Sequence, residues 1–219
     1  MSKVETMSEH AQIPEGMNPD ARETWPSPEL IESWLGDSVY DLHLGPGEDV
    51  AVPGEDPAAA AAARRFRDVL SQFGSGVAVV TTMSGDEPVG MTCQSFSSVS
   101  LDPPLVLFVP SKTARAWPLI QRSGRFCVNV LAADQAALSN QMASRGVDKF
   151  AGVDWTPSRH TGSPVLSGTL AHIDCTVHAV HEAGDHYVVI GRALDLQVGA
   201  QEPDPLLFFR GQYRTTAPE

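Results

Sequence analysis

The stretch that decides the fold is residues 76–109, which read GVAVVTTMSGDEPVGMTCQSFSSVSLDPPLVLFV. Its first apolar run, residues 76–82, predicts a buried strand, and Ser84-Gly85-Asp86 favours a turn. Residues 89–100 predict one long second strand, and Asp102-Pro103-Pro104 then forces another turn into a third, apolar strand. Strands joined by tight turns predict an antiparallel sheet rather than alternating βαβ units.

Short strands and turns continue along the rest of the chain. Strands are predicted at residues 125–131, 171–179 and 187–190, the last of them after the turn Gly184-Asp185. Helices are predicted from Asp56-Pro57 to Gly74, with Phe66, Val69, Leu70 and Phe73 at helical spacing, and at residues 114–122 and 134–144. This order of elements predicts a mainly β protein, a β-barrel with flanking helices.

The strand predicted at residues 171–179 has two different faces. Its apolar residues alternate with His172, Asp174, Thr176 and His178, so we expect the polar set to face solvent. Together with His181, the two histidines do not have the spacing that would converge on one metal ion. We therefore predict solvent-facing histidines and no metal site.

The N-terminal part of the chain differs in composition from the remainder. Residues 1–60 hold thirteen of the acidic residues and only two of the basic ones, in a chain of net charge −12. We therefore predict an acidic, proline-rich extension over residues 1–56 and one domain over residues 57–219. Pro28 and Gly36 suggest a short helix over residues 28–35 within the extension, with an apolar face that would dock on the body of the protein or on a partner. The alternative is a weakly ordered tail.

Composition excludes several classes of protein. The acidic balance argues against nucleic-acid binding, because phosphate neutralisation needs a basic surface. No apolar run approaches the roughly 20 residues that span a bilayer, and the first residues do not resemble a secretory signal, so we expect a cytoplasmic protein with no membrane role. Cys93, Cys127 and Cys175 form no CxxC pair and predict reduced, small packing residues.

Common catalytic and nucleotide-binding motifs are absent from the sequence. There is no GxGxxG, GxxxxGK[ST], HExxH or GxSxG. Small polar side chains are instead concentrated at Thr92, Gln94, Ser95, Ser97, Ser98 and Ser100, and again at Ser111, Lys112 and Thr113. Such a surface suits a polar ligand, although hydroxyl residues are also ordinary on exposed strands.

Five blocks of the sequence, in order, resemble the flavin reductase-like family, the small reductases of two-component monooxygenases. They are the stretch from Gly90 to Leu107, Phe126 to Ala132, Arg145 with Asp148-Lys149-Phe150, Gly184-Asp185-His186, and Gly211-Gln212-Tyr213. The resemblance extends from about Phe66 to Tyr213 and leaves the acidic extension outside. It implies an FMN-binding split β-barrel, a homodimer, and transfer of hydride from NADH or NADPH to FMN or FAD.

The resemblance also implies roles for individual residues. Met91, Thr92, Cys93, Gln94 and Ser95 would line the isoalloxazine ring, and Asn129, Val130 and Leu131 would approach the flavin from a neighbouring segment. Ser98, Val99, Ser100, Ser111, Lys112 and Thr113 would hold the ribityl-phosphate arm. The resemblance also implies that Phe150 would belong to this site and that Arg145 and Lys149 would supply cations for the phosphate. His186 would orient the nicotinamide as the catalytic residue.

Three functions follow from this resemblance. The first is an NAD(P)H:flavin oxidoreductase that delivers reduced flavin to a separate flavin-dependent monooxygenase. The second is a flavin- or ligand-binding split barrel without reductase turnover, and the third is a flavoenzyme that acts directly on an organic substrate. The intact Gly-Asp-His block and flavin-binding blocks favour the first. Hydride transfer needs alignment more than an acid and a base, so the missing acid–base motif is no objection.

Overall fold

The computed structural model describes residues 57–199 and 203–216 of the 219-residue chain. The acidic extension, including the helix predicted at residues 28–35, lies outside these ranges. The helices are α1 (Pro57–Leu70), α2 (Ala116–Ser123) and α3 (Ala136–Ala143), the last preceded by the 3₁₀ turn Ala133–Gln135. The first strands are β1 (Ser75–Gly76), β2 (Ala78–Ser84), β3 (Glu87–Cys93), β4 (Ser97–Leu101), β5 (Pro104–Phe108) and β6 (Arg125–Val130). They are followed by β7 (Trp155–Pro157), β8 (Pro164–Leu166), β9 (Ala171–Ala183), β10 (His186–Val198), β11 (Leu207–Phe209) and β12 (Gln212–Arg214).

Seven strands form one antiparallel sheet in the order β3-β2-β6-β9-β10-β5-β4. Its two edge strands, β3 and β4, are consecutive in the sequence. Side chains from β2, β3, β5, β6, β9 and β10 meet in one core together with α2, so the sheet curves into a barrel. The predicted mainly β architecture is confirmed.

The second predicted strand, residues 89–100, is wrong as one continuous element. The chain leaves the sheet at residues 94–96, between β3 and β4. The side chain of Ser95 explains the break, because its Oγ accepts a hydrogen bond from the Val109 amide (3.0 Å) and donates one to the Val109 carbonyl (3.2 Å). The Ser95 hydroxyl thus makes the hydrogen bonds to Val109 that a neighbouring strand would otherwise make, and the backbone at residues 94–96 is free to turn.

Aromatic side chains fill the inside of the barrel. The ring of Phe108 meets that of Phe126 edge-on, with centroids 5.1 Å apart, and that of Trp117 at 6.1 Å. Gly191 makes room for this packing, since a Cβ at that position would lie 2.3 Å from Cζ of Phe126. The glycine is therefore needed for close approach between strand and ring.

The expectation that Asp174 faces solvent is wrong. Asp174 is 1 % exposed, because residues 158–163 cover this face of β9. Its carboxylate accepts hydrogen bonds from the amides of His160 and Thr161 (2.9 and 3.1 Å) and from Thr161 Oγ1 (2.5 Å). The buried charge thereby holds the covering loop on the sheet.

Candidate active site

One corner of the barrel joins the loop after β5 to the β9–β10 hairpin. Ser111 and His186 pair as an isolated antiparallel bridge. The Lys112 amide donates to the Asp185 carbonyl, and the Tyr187 amide donates to the Pro110 carbonyl, both at 2.9 Å. Backbone hydrogen bonds therefore hold together the loop predicted to bind the ribityl-phosphate arm of the flavin and the hairpin predicted to orient the nicotinamide.

The side chain of His186 is oriented by its neighbour. Its Nδ1 lies 2.8 Å from Oδ1 of Asp185, and the imidazole remains 40 % exposed. This hydrogen bond, followed by the charge interaction with His186, lowers the pKa of the Asp185 carboxyl. The pairing engages Nδ1, so a ligand would be met by Nε2.

Lys112 is directed toward the hairpin. Its Nζ lies 3.1 Å from Oε2 of Glu182 and 5.5 Å from the centroid of the Tyr187 ring. The hydroxyls of Ser111 and Thr113 lie 2.9 Å apart, and the Thr113 amide donates to Ser111 Oγ. The loop therefore offers the hydroxyls of Ser111 and Thr113 for ligand binding, while Lys112 forms an ion pair with the hairpin through Glu182.

A second group of polar contacts lies where α3 packs on β3. Thr92 Oγ1 donates to the Ser139 carbonyl at 2.5 Å. Tyr213, from the Gly-Gln-Tyr block, donates its hydroxyl to Ser139 Oγ and Asn140 Oδ1 at 2.9 and 2.8 Å. The predicted ring-binding strand is thus fixed from the outer side of the sheet.

Lys149 lies at the end of the candidate site where α3 meets β3. Its Nζ donates to the carbonyls of Met142 (2.7 Å) and Gly90 (3.1 Å), which ties α3 to β3. Burial, followed by the positive charges of Arg115 and Arg145, lowers the pKa of Lys149 from 10.5 to about 8. Three cations therefore share one region, in which an anion would relieve their mutual repulsion.

Residues 94–96 connect the corner formed by Ser111 and His186 to the contacts between α3 and β3. Cys93 Sγ lies 3.3 Å from Ser95 Oγ, which in turn is bonded to Val109 two residues before Ser111. Gln94 and Ser95 are exposed, whereas Cys93 is buried. Burial raises the pKa of the Cys93 thiol, which fits a packing role rather than a reactive one.

Some predicted site residues lie inside the protein. Asn129 and Leu131 have no exposed surface. Asn129 donates to the carbonyls of Val79 (3.3 Å) and Pro164 (3.2 Å) and accepts from the Leu166 amide at 2.8 Å. The side chains of Asn129 and Leu131 are therefore part of the interior packing of the protein.

The remaining predicted residues are accessible. Gln94, Ser95, Ser98, Val99, Thr113 and Arg145 are exposed, and Met91, Thr92, Ser100, Ser111, Lys112, Val130, Lys149, Phe150 and His186 are partly exposed. Sequence reasoning did not single out Arg115, Ser139 or Asp185 as parts of the site. Asp185 stands next to the predicted histidine, whereas Ser139 and Arg115 lack a comparable local signal.

This donor set fits a flavin. Hydroxyls at Ser111 and Thr113 and the cations at Arg115, Arg145 and Lys149 are the groups that bind phosphate oxygens. Exposed Gln94 offers an amide that can donate to and accept from the polar edge of a flavin ring. Within residues 57–199 and 203–216, no cluster of three potential metal ligands occurs, and no helix is both long and apolar enough to cross a bilayer.

Fold and site together define a split-barrel oxidoreductase that uses flavin. The chain belongs to the flavin reductase like domain family, whose model matches residues 70–217. It is 54 % identical, over 71 % of this chain and 79 % of the relative, to the flavin-dependent monooxygenase reductase subunit HsaB of Rhodococcus jostii. It is 40 % identical to the FMN reductase (NADH) SmoA of Agrobacterium fabrum, over 80 % of this chain and 96 % of the relative.

Solved structures agree with this assignment. Nitrilotriacetate monooxygenase component B from Mycobacterium thermoresistibile is 53 % identical with a TM-score of 0.71, over 73 % of this chain and 89 % of that one. The NADH:FAD oxidoreductase SgcE6 of Streptomyces globisporus, solved with NAD and FAD fragments, is 38 % identical with a TM-score of 0.68, over 75 % of this chain and 96 % of that one. The prediction of a flavin reductase is confirmed.

Proposed function

We propose that this protein is the reductase component of a two-component flavin-dependent monooxygenase, with NADH as reductant and FMN or FAD as the flavin. The relatives' names support both parts: HsaB and SmoA are named as a monooxygenase reductase subunit and an NADH-dependent FMN reductase, and a relative from Streptomyces globisporus is named as an NADH-dependent FAD reductase. Reduced flavin would then pass to a partner oxygenase.

The observation that carries the proposal is the pairing of Ser111 with His186. It brings the loop proposed to bind the ribityl-phosphate arm next to the imidazole proposed to orient the nicotinamide. When bound, the flavin supplies the acceptor for the hydride of NADH. The residues of the chain contribute alignment: Asp185 fixes the imidazole, and the backbone bonds of Lys112 and Tyr187 fix its distance from the loop.

The phosphate end of the flavin is assigned to two sets of groups. The hydroxyls of Ser98, Ser100, Ser111 and Thr113 are proposed to donate to phosphate oxygens. Arg115, Arg145 and Lys149 are proposed to balance the phosphate charge, and Gln94 and Ser95 to meet the ring. The carbonyl contacts of Lys149 support this assignment, since they hold a cation beside the ring-binding strand β3.

The test is anaerobic reduction of flavin followed by absorbance. FMN or FAD is mixed with the protein, NADH or NADPH is added, and the four pairs are compared. We expect rapid bleaching with NADH, and loss of rate in His186→Ala. Tight flavin binding without bleaching by either nucleotide would contradict the proposal and favour a flavin-binding protein without turnover.

A homodimer is also proposed. The end of β10 exposes Leu194, Leu196 and Val198 by 42, 60 and 82 %. β5 pairs with β10 only up to Arg192, so this apolar end has β9 on one side alone. A second copy would cover it, and Leu196→Glu is expected to convert the dimer to a monomer in analytical ultracentrifugation. A monomeric unaltered protein would contradict this assignment.

The cytoplasm is the proposed location. Cys93, Cys127 and Cys175 are all free thiols and all buried, which agrees with a reducing compartment.

A further inference from the structure

The described side chains of helix α1 belong to neither of the two buried cores of the protein. Every side chain from residue 63 to residue 70 is exposed. The helix is attached at its end, where the Arg210 amide donates to the Ser71 carbonyl (3.0 Å) and Arg210 Nε donates to Gln72 Oε1 (2.8 Å). These two hydrogen bonds join the chain just after the helix to the segment that carries Arg210.

One face of α1 is apolar and open. Phe66, Val69 and Leu70 follow helical spacing and are 66, 62 and 54 % exposed, and Phe73 in the next turn is 79 % exposed. We call these four residues the α1 face. A lone helix of 14 residues is marginal in water, because most helix stability comes from packing an apolar face. This face therefore requires a cover.

The charges around the α1 face indicate what kind of segment would bind there. Arg64, Arg65 and Arg67 lie on the helix with Asp68 as its one acidic residue, and Arg210 lies at its end. Packing α1 against α1 of a second copy would bring like charges together. An acidic segment with its own apolar residues would meet both features of the surface.

The chain itself contains such a segment. No Lys or Arg occurs from residue 23 to residue 63, and residues 28–41 read PELIESWLGDSVYD. This sequence combines Leu30, Ile31, Trp34 and Leu35 with four acidic residues. We propose that residues 28–41 bind the α1 face of the same chain. The proposal is independent of the reductase activity.

The covalent connection permits this contact. Residues 42–56 join the segment to the first residue of α1. Fifteen extended residues span at most about 50 Å, and α1 itself is about 21 Å long. Tethering at this distance gives an effective concentration in the millimolar range, so a weak contact would be well populated.

Hydrogen–deuterium exchange of the full-length protein tests the proposal. We expect residues 28–41 to be protected relative to residues 1–27, and Phe66→Ser with Leu70→Ser to raise their exchange at least about tenfold. Val147→Ser is the matched control, because Val147 is 54 % exposed on another surface. Equal exchange of both segments, or protection that survives the two α1 substitutions, would overturn the proposal.

A disulfide test distinguishes the same chain from a second copy. The full-length variant with Leu35→Cys and Val69→Cys is oxidised and examined without reductant. The three native cysteines are buried, so they do not compete. We expect a link within one chain that raises the protection of residues 28–41. A covalent dimer as the main product, or no disulfide at all, would overturn the proposal even if flavin reduction is normal.

Discussion

Ser111 and His186 lie directly opposite each other, as bridge partners between the loop after β5 and the start of β10. The loop follows β5, which lies between β4 and β10 in the sheet, and His186 is the first residue of β10 in the β9–β10 hairpin. Because the bridge is made by backbone atoms, both side chains remain available to ligands. Under the proposed assignment of these two residues, this pairing would place the flavin and the nicotinamide nucleotide next to each other in a fold without a dinucleotide-binding motif.

The first prediction concerns His186. His186→Ala removes the ring that Asp185 orients, so we expect kcat/KM for NADH to fall by about 10- to 100-fold through lost alignment, with flavin Kd unchanged. Stopped-flow reduction and flavin titration measure the two quantities. His181→Ala, an exposed histidine on the same hairpin, is the control and should behave as the unaltered protein. Equal losses in both variants would argue against the assignment.

The second prediction is a pH dependence of flavin binding. The pKa of Lys149 in the free protein is about 8, and a bound phosphate favours its charged form. Above pH 8 binding must therefore take up a proton, so flavin affinity falls as pH rises, by up to about tenfold per pH unit. We expect Lys149→Met to bind weakly with no such dependence near pH 8, and Lys149→Arg to bind well up to higher pH. Fluorescence titration from pH 6.5 to 9.5 measures this, and a flat profile for the unaltered protein would contradict it.

The third prediction concerns the buried carboxylate. Asp174→Ala leaves the amides of His160 and Thr161 without their acceptor, and the Thr161 hydroxyl keeps Ser163 Oγ as a partner. We expect the free energy of unfolding to fall by about 3 kcal/mol, measured by denaturant titration. Asp86→Ala, in an exposed turn, should change it by less than about 0.5 kcal/mol. A small effect at Asp174 would mean that the covering loop does not depend on this charge.

The fourth prediction tests the packing of the barrel. In Gly191→Ala the new methyl group meets the Phe126 ring, which lies among Phe108 and other buried side chains. We expect a loss of about 1–3 kcal/mol in stability from overpacking. Gly76→Ala is the control, because a Cβ there meets nothing within 4 Å. Equal stabilities of the two variants would show that Phe126 moves freely.

Much of the fold follows from local sequence pattern. Apolar runs and turn residues predict β2, β5, β6 and the β9–β10 hairpin, because buried strands and tight turns have local signatures. The break at residues 94–96 has no such signature, since it depends on hydrogen bonds between Ser95 and the distant Val109. The wrong prediction for Asp174 has a similar cause, because alternation along a strand does not reveal that another segment, residues 158–163, covers its polar face.

The site was predicted mainly through resemblance to a family. Blocks of sequence identify His186 and Lys149, but composition alone does not assign them a ligand. The side-chain partners of Asn129, which are Val79, Pro164 and Leu166 inside the protein, could not be predicted from its block of sequence. Contacts between distant segments, such as Lys149 with Gly90, appear only in the folded chain.

The most direct test of the central claim is the stoichiometry of anaerobic flavin reduction by NADH. A small amount of protein is mixed with FMN or FAD in large excess, NADH is added, and the visible flavin absorbance is followed. We predict that each protein molecule reduces many equivalents of flavin, because flavin is a substrate that leaves after reduction. Bleaching that stops at one equivalent per protein, or no bleaching above the rate without protein, would contradict a reductase that supplies flavin to a partner.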